Sequence, residues 1–327
     1  MIAGVDMKYL EICGKKDLVK MSKYVLGTTY FGTELDKGKC FTLLDKFFEL
    51  GGNCIDTARC YAQWLDGGDS ASETVIGEWI ENRRCREKTV ISTKGAFPAK
   101  DGTKRVNSAS IREDIKRSLD CLKTDYIDVY FLHRDDLNAD LFDIMMTLDE
   151  YVKKGVIRAI GASNWRVNRI EEANNIAKAN NFTQFSISQI NWSAAFATPE
   201  TLKDPSLVCM NDTEYEWYLK NKFPVMAFSS QAKGFFSKAI EGGFGDLNQK
   251  IVDRFLCDKN IKRIDWIKEY CQIHSISPAT AVLSYINSNP VPAVSIIGCS
   301  SIQQLEDSMF NSDFIMSEKD IQKLSSI

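Results

Sequence analysis

Along most of the chain, a short apolar run, a polar turn and a segment of helical period follow one another in the same order. The short runs are KYVLGT (23–28), NCIDT (53–57), TVIST (89–93), YIDVYFL (126–132), VIRAIGA (156–162), FSISQI (185–190), PVMAFS (224–229) and AVSIIG (293–298), eight in all. Between them, helical spacing predicts helices over Lys39–Leu50, Ser72–Arg83, Ile111–Leu122, Asp140–Lys154, Arg166–Asn180 and Asp212–Lys220. In the third of these, Ile111, Ile115, Ser118, Leu119 and Leu122 recur at helical spacing and form one face. Apolar strands alternating with amphipathic helices describe a parallel sheet covered by helices. Eight such units in one uninterrupted chain favour a closed (β/α)8 TIM barrel over the alternative, an open doubly wound sheet.

Two kinds of segment stand outside the alternation. MKYLEI and DLVKM, separated by CGKK, read as an N-terminal β-hairpin that could plug the bottom of the barrel. Long loops are expected after strands six and seven: about Trp192–Met210, and the irregular stretch QAKGFFSKAIEGGFGDLNQK. Both follow strand C-termini, where a barrel builds its site, and long loops in compact domains are usually functional or mobile. With no linker, low-complexity stretch or charge run, residues 1–327 read as one domain.

Composition narrows the function classes. The chain has 327 residues, 44% hydrophobic and 26% charged, with a net charge of −3 and no block of like charges. It carries no electrostatic footprint for nucleic acid or an anionic membrane. The start, MIAGVDMKYLEICGKK, lacks a continuous apolar core, and no apolar run approaches the roughly 18 residues a membrane helix needs. A cytoplasmic protein acting on a small molecule is expected, with neither membrane nor nucleic acid as partner. The ten cysteines are scattered singly without a CxxC pair, so they read as reduced thiols without a functional role. Two histidines far apart in sequence give no metal cluster.

Asp56, Tyr61, Lys94 and His133 stand at the ends of predicted strands or in the loops just after them, within GGNCIDTARCY, VISTKGAF and IDVYFLHRDD. A barrel gathers such residues at one face. A carbonyl that takes up hydride needs a proton, and a free phenol, with a pKa near ~10, is too weak an acid at neutral pH. Lys94 is placed to favour the phenolate of Tyr61, Asp56 to hold Lys94 charged, and His133 to orient the carbonyl oxygen. Singly, each has a plainer reading: Asp56 as a turn or cap, Tyr61 as packing, Lys94 as a solvated strand end, His133 as a satisfied structural histidine. A Schiff-base role for Lys94 would need a neutral amine, which a nearby Asp56 opposes.

As a set in this order, the four residues resemble the catalytic four of the aldo-keto reductase family, and the resemblance runs nearly end to end. It implies an NAD(P)H-dependent oxidoreductase reducing an aldehyde or ketone, a sugar among the options, with Tyr61 as the proton donor. The dinucleotide signature GxGxxG after a first strand is absent; GGFGDLN lies late, without strand–turn–helix context. The resemblance supplies another cofactor mode. Ser163, Asn164 and Gln189 match partners of the nicotinamide carboxamide, and Phe228 the ring stacked on it. Thr28 and Thr29, together with Asp56, match the loop near the ribose. Ser229, Ser230, Gln231 and Lys233 match the loop over the pyrophosphate, and Asp307 and Ser308 the adenine side. Read plainly, Ser163 and Asn164 could instead cap a helix, and Gln189 and Phe228 could belong to the core.

The chain departs from the family in two places. Gly298, Ser300 and Gln304 stand where NADPH-preferring members often carry Lys or Arg. Hydroxyls and amides at a helix N-terminus still bind phosphate, yet the charge-assisted fork is missing. A weakened preference for NADPH over NADH is therefore expected, with either NADP or NAD as cofactor. Past Gln189, Trp192-Ser193 replaces the family's usual Tyr-Asn. Trp192, Trp64 and Phe97 are expected to wall the substrate pocket, with Arg134 as its polar arm, or else simply to pack. The family's potassium-channel β subunits keep both barrel and catalytic set, so a cofactor-binding regulatory subunit is the alternative reading.

Overall fold

The computed structural model describes residues 7–15, 17–65 and 68–327. The hairpin forms from β1 (Tyr9–Cys13) and β2 (Leu18–Ser22), paired antiparallel. Lys16 of the CGKK stretch, and residues 1–6 at the start of the stretch read for a signal-peptide core, lie outside the described residues. Eight strands follow: β3 (Tyr24–Gly27), β4 (Cys54–Asp56), β5 (Val90–Gly95), β6 (Ile127–Leu132), β7 (Ile157–Ser163), β8 (Ile187–Asn191), β9 (Val225–Phe228) and β10 (Ala293–Ile297). They close a parallel barrel in the order β10-β3-β4-β5-β6-β7-β8-β9. The (β/α)8 architecture expected from the sequence is the one observed.

The first six helices start within three residues of the expected positions: α1 (Lys37–Glu49), α2 (Ala71–Arg83), α3 (Ser108–Leu122), α4 (Leu141–Lys153), α5 (Val167–Ala179) and α6 (Asp212–Asn221). Asp36, Asn107, Asp140 and Asn211 set the starts of α1, α3, α4 and α6, each accepting a first-turn amide on its side chain. The stretch after β9 differs from the irregular loop expected. It holds α7 (Phe235–Glu241) and α8 (Gln249–Phe255), anchored by buried Phe235, Phe236, Ile251 and Phe255. Glycines divide this stretch into segments too short for a helical period to stand out in the sequence. Next come α9 (Asp258–His274) and α10 (Pro278–Asn287), and after β10, α11 (Ile302–Met309) and α12 (Glu318–Ser326). The loop after β8 is long and free of regular helix, as expected. No helix among the described residues is long and apolar enough to cross a membrane.

The two ends of the barrel are finished differently. Val25, Cys54, Val129, Phe131, Met226 and Val294 pack together with Ile12, Val19 and Met21 of the hairpin, which plugs the bottom. Arg158 bridges Asp17 of the hairpin turn to Asp128 of β6, and Arg86 adds a second pairing to Asp128 at 2.9 Å. At the top, the backbone bends sharply where strands become loops. Ala62, Ala96, Asn164, Ser229 and Lys233 all have positive φ, between 52° and 70°. Non-glycine residues adopt this region at a cost, and such positions cluster at functional sites. Gly95, at the end of β5, must lack a side chain because a Cβ there would collide with Tyr130 Oη.

Candidate active site

Adjacent parallel strands bring the ends of β4, β5 and β6 side by side, and with them three of the four candidate residues. Asp56 is the last residue of β4, Lys94 the fifth of β5, and His133 follows β6 directly. Tyr61 comes in on the turn after β4. Lys94 Nζ lies 2.7 Å from Asp56 Oδ2, 2.7 Å from the Thr57 carbonyl and 3.0 Å from Tyr61 Oη. An ammonium has three protons to donate, and these three acceptors use them all. Lys94 and Asp56 are only 1% and 2% exposed, so neither would hold its charge without the other. Burial pulls the Lys94 pKa down, but Asp56 and Tyr61 outweigh it and the net shift is upward. Lys94 is thus a secured ammonium, not the neutral amine that Schiff-base chemistry requires.

Tyr61 is half-buried, with its Oη accepting from Lys94 Nζ. Lys94 does pull toward phenolate, as expected, but burial pulls harder the other way. Burial raises the phenol pKa, Lys94 lowers it by less, and the net shift is upward from 10. Lys94 therefore does not ionise the resting phenol. It stands ready to stabilise phenolate once a proton has left, while burial keeps that proton in place until then.

His133 is 8% exposed, with its ring centroid 6.1 Å from that of Tyr61 and 4.9 Å from Phe97. Burial, with Arg134 and Lys94 adding to it, holds the imidazole well below its usual pKa, so it is neutral. A neutral imidazole has one donor and one acceptor nitrogen. Its Nδ1 lies 3.3 Å from Cys60 Sγ. Burial pushes the Cys60 thiol up to about 12, so Cys60 carries a proton to donate. A thiol proton donated to Nδ1 would leave the ring proton on Nε2, the tautomer that can donate to a carbonyl oxygen. Cys60 was passed over in the sequence as an inert thiol. Its position directly before Tyr61 was the available signal, but the contact to His133 spans 73 residues and has no local trace.

The residues matched to the cofactor fall into two groups. At the ends of β7 and β8, Ser163 pairs in register with Gln189, and the Asn164 amide donates to the Gln189 carbonyl at 2.9 Å. Gln189 Nε2 donates to Asp56 Oδ1 at 2.8 Å, leaving the side-chain oxygen as an acceptor. Ser163 Oγ accepts from Asn164 Nδ2 at 3.1 Å and keeps its own proton to donate. One donor and one acceptor side by side fit a carboxamide, which offers both an oxygen and an amide hydrogen. Asn164 itself is more committed, since its Oδ1 accepts from the Val208 amide at 3.2 Å. Phe228, half-buried, ends β9 nearby. Thr28 is fully buried, its hydroxyl tied to the Asp56 carbonyl and to Ser72 Oγ, so only the half-buried Thr29 has a side chain near the surface.

The second group lies on the loops after β9 and β10. Ser230 Oγ donates to the Ile296 carbonyl at 2.6 Å, and Gln231 Nε2 to Ser308 Oγ at 3.0 Å, joining the two loops. Ser229 is half-buried and Lys233 exposed. Gly298, Ser300, Gln304 and Asp307 are also exposed. Gln304 Oε1 accepts from both the amide and the hydroxyl of Ser300, at 2.8 and 3.0 Å, and Gln303 Nε2 donates to Asp307 at 2.8 Å. A nucleotide phosphate would meet hydroxyls and amides here, without a guanidinium or ammonium from residues 298–308.

The four expected substrate-pocket residues separate. Phe97 stacks beside His133, and the Arg134 guanidinium lies 5.1 Å over the Phe97 ring. Arg134 is no free polar arm, however. It donates to Ser206 Oγ at 2.8 Å, to the His133 carbonyl at 2.9 Å and to Asp204 at 3.3 Å, pinning the loop after β8 to the site. Trp64 is 56% exposed in the loop beyond Tyr61. Trp192 follows β8 directly. It is 3% exposed, sits against Tyr215 and Tyr285, and lines a separate cavity that contains none of the four catalytic candidates. Its contacts to Tyr215 and Tyr285 join positions far apart in sequence, which a pattern of apolar residues cannot report.

The sequence model of the Aldo/keto reductase family matches residues 23–327. Among curated proteins, the chain is similar to norsolorinic acid reductase of Aspergillus flavus, 34% identical over 58% of this chain and 51% of that protein. It is similar to a probable aryl-alcohol dehydrogenase of Saccharomyces cerevisiae, 27% identical over 90% of this chain and 88% of that one. A third relative, aryl-alcohol dehydrogenase [NADP(+)] of Phanerodontia chrysosporium, is 31% identical over 59% of this chain and 49% of its own length. The chain spans about half the length of the norsolorinic acid reductases of Aspergillus flavus and Aspergillus parasiticus, 51% and 48%.

Proposed function

The chain belongs to the aldo/keto reductase family, and from that premise we propose that it reduces an aldehyde or ketone to the alcohol at the expense of NAD(P)H, with Tyr61 as proton donor. The observation that carries the reading is the buried relay in which Lys94 Nζ stands 3.0 Å from Tyr61 Oη and 2.7 Å from Asp56 Oδ2. Ser163, Gln189 and Phe228 would hold the nicotinamide, which when bound supplies the hydride. His133 Nε2–H and Tyr61 Oη–H would both donate to the carbonyl oxygen, orienting it and stabilising the negative charge that grows there. The phenol proton then passes to that oxygen, and the phenolate left behind is stabilised by the Lys94 ammonium. Asp56 keeps Lys94 charged throughout and also holds Gln189 through its other oxygen.

An aromatic carbonyl fits better than a sugar. Phe97 offers a ring beside His133, and the exposed Trp64 follows Tyr61 by three residues, while Arg134, over the Phe97 ring, is occupied by Asp204 and Ser206. Relatives named norsolorinic acid reductase and aryl-alcohol dehydrogenase favour the same class. The cofactor reading is dual use, because the exposed loop after β10 lacks a cation for a 2′-phosphate. Single-turnover oxidation of enzyme-bound NADPH and NADH, on addition of benzaldehydes, aryl ketones and aldoses, tests all three parts. Oxidation by the aryl carbonyls with either cofactor is expected. Tight binding of both cofactors without oxidation by any member of the panel would overturn the reading.

A further inference from the structure

Behind the loop after β8, on the outside of the barrel, lies a cavity of about 550 Å³, within the range of small-molecule sites. One wall is aromatic: Trp192, with Tyr215 and Tyr285 set edge-on to it at 6.3 and 6.4 Å between ring centroids. The floor of charge is unusual. Arg263, 7% exposed, lines the cavity and has no carboxylate partner among the described residues, in contrast to the buried Lys94. It donates to the Ala194 and Ser325 carbonyls at 2.8 and 3.3 Å, and its Nε has no partner among the described residues. A buried guanidinium held only by neutral carbonyls is a cation with its counter-charge missing. Arg166 and Lys259 also line the cavity, against one carboxylate, Asp212.

We propose that this cavity is a second ligand site, distinct from the barrel mouth, for a small aromatic carboxylate: the carboxylate pairs with Arg263 and the ring lies against Trp192, Tyr215 and Tyr285. Guanidinium matches carboxylate geometrically, and the apolar lining excludes an ion such as inorganic phosphate that has no ring to bury. The site is also wired to the catalytic centre through its own wall. Val208, in the cavity lining, donates its amide to Asn164 Oδ1 at 3.2 Å, and the same loop holds Arg134 through Asp204 and Ser206. An occupant therefore bears on the segment that orients Asn164 and His133.

Calorimetric titration with 2-naphthoate and its neutral counterpart 2-naphthamide tests the site without reference to catalysis. Wild-type protein should bind the acid at a single site, about tenfold or more tighter than the amide, the worth of one charge-assisted contact. Arg263→Met should erase that preference. Ala197→Leu, which narrows the cavity while keeping Arg263, should weaken both ligands and serves alone if Arg263→Met does not fold. Tyr61→Phe, at the barrel mouth, should leave both affinities unchanged. Equal affinity for acid and amide, undiminished binding in Ala197→Leu, or binding lost in Tyr61→Phe would each overturn the proposal, as would the absence of any binding heat.

Discussion

The two ends of the proposed cofactor cleft hold their polar groups in opposite ways. At the β4–β6 end, an ammonium and a carboxylate are 1% and 2% exposed and every donor on the ammonium is used. At the end formed by the loop after β10, Ser300 and Gln304 are exposed, neutral and bonded chiefly to each other. Buried charge is strongly coupled to its neighbours, so a change at the first end spreads through the whole relay. Exposed neutral groups are screened and nearly independent, so the second end can be altered with little consequence elsewhere. On the proposed function, chemistry is secured where solvent is excluded, and nucleotide preference is left where solvent reaches it.

The sharpest way to break this contrast is Tyr61→Phe. Deleting one oxygen removes the proton donor while leaving the ring, and reduction should fall about 1000-fold, the scale of a lost general acid. NADPH affinity, measured by fluorescence titration, should not change; a wild-type turnover rate would remove Tyr61 from the mechanism. Next in size is Asp56→Asn. It leaves Lys94 buried without its counter-charge, which should lower stability by about 3 kcal/mol in denaturant titration. It should also reduce turnover roughly 100-fold by loosening the ammonium that receives the phenolate. Stability equal to wild type would mean that the pair is not coupled as its distance suggests.

The pH dependence sharpens the same end. Tyr61 is raised above 10 and His133 lies well below 6.5, so in reduction both are in their working states, protonated phenol and neutral imidazole, across the neutral range. The rate of the chemical step should stay flat with pH through that range. It should decline as alkaline pH removes the phenol proton; on the acid side, charging His133 keeps the Nε2–H donor and disturbs only the Cys60 contact at Nδ1, so any change belongs well below 6.5. An inflection near the ordinary histidine pKa would show that His133 is more solvated than its surroundings imply. Cys60→Ala removes the thiol that fixes the imidazole tautomer and should lower turnover about tenfold. Cys60→Ser, whose hydroxyl can donate in the same place, should recover most of that loss; equal rates in both variants would make the contact incidental.

How much of this was legible in the sequence follows the same division. The barrel could be read because its strands are mostly apolar and its helices carry short polar caps, such as Asn107 and Asp140, at the first turn. Asp56, Lys94 and His133 could be located because parallel strands align their ends automatically, so a position in each repeat becomes a position in space. What stayed hidden depends on contacts between distant loops. Arg134 looks like a free arm until Asp204 and Ser206, some 70 residues on, are brought to it. The place of Trp192 against Tyr215 and Tyr285 likewise joins positions far apart in sequence. The direction of the Tyr61 shift was also out of reach, because it balances burial against one ammonium and burial is a property of the fold.

The smallest expected effect belongs to the exposed end. Ser300→Arg places a guanidinium where a 2′-phosphate would lie and should raise the NADPH-to-NADH affinity ratio roughly fivefold, an exposed charge pair being worth little in water. NADH affinity and turnover with saturating cofactor should not move, since Ser300 has no bond to the β4–β6 relay. Two other cations make a useful control. Lys46 of α1 is already paired, 3.0 Å from Glu306 and 3.5 Å from Glu49, whereas Lys233 is exposed on the loop after β9. If wild-type protein already prefers NADPH a hundredfold or so, far beyond what neutral groups supply, Lys233→Met should abolish that preference. The loop after β9 would then supply the charge that the loop after β10 lacks, and the division between a fixed and a tunable end would shift by one loop.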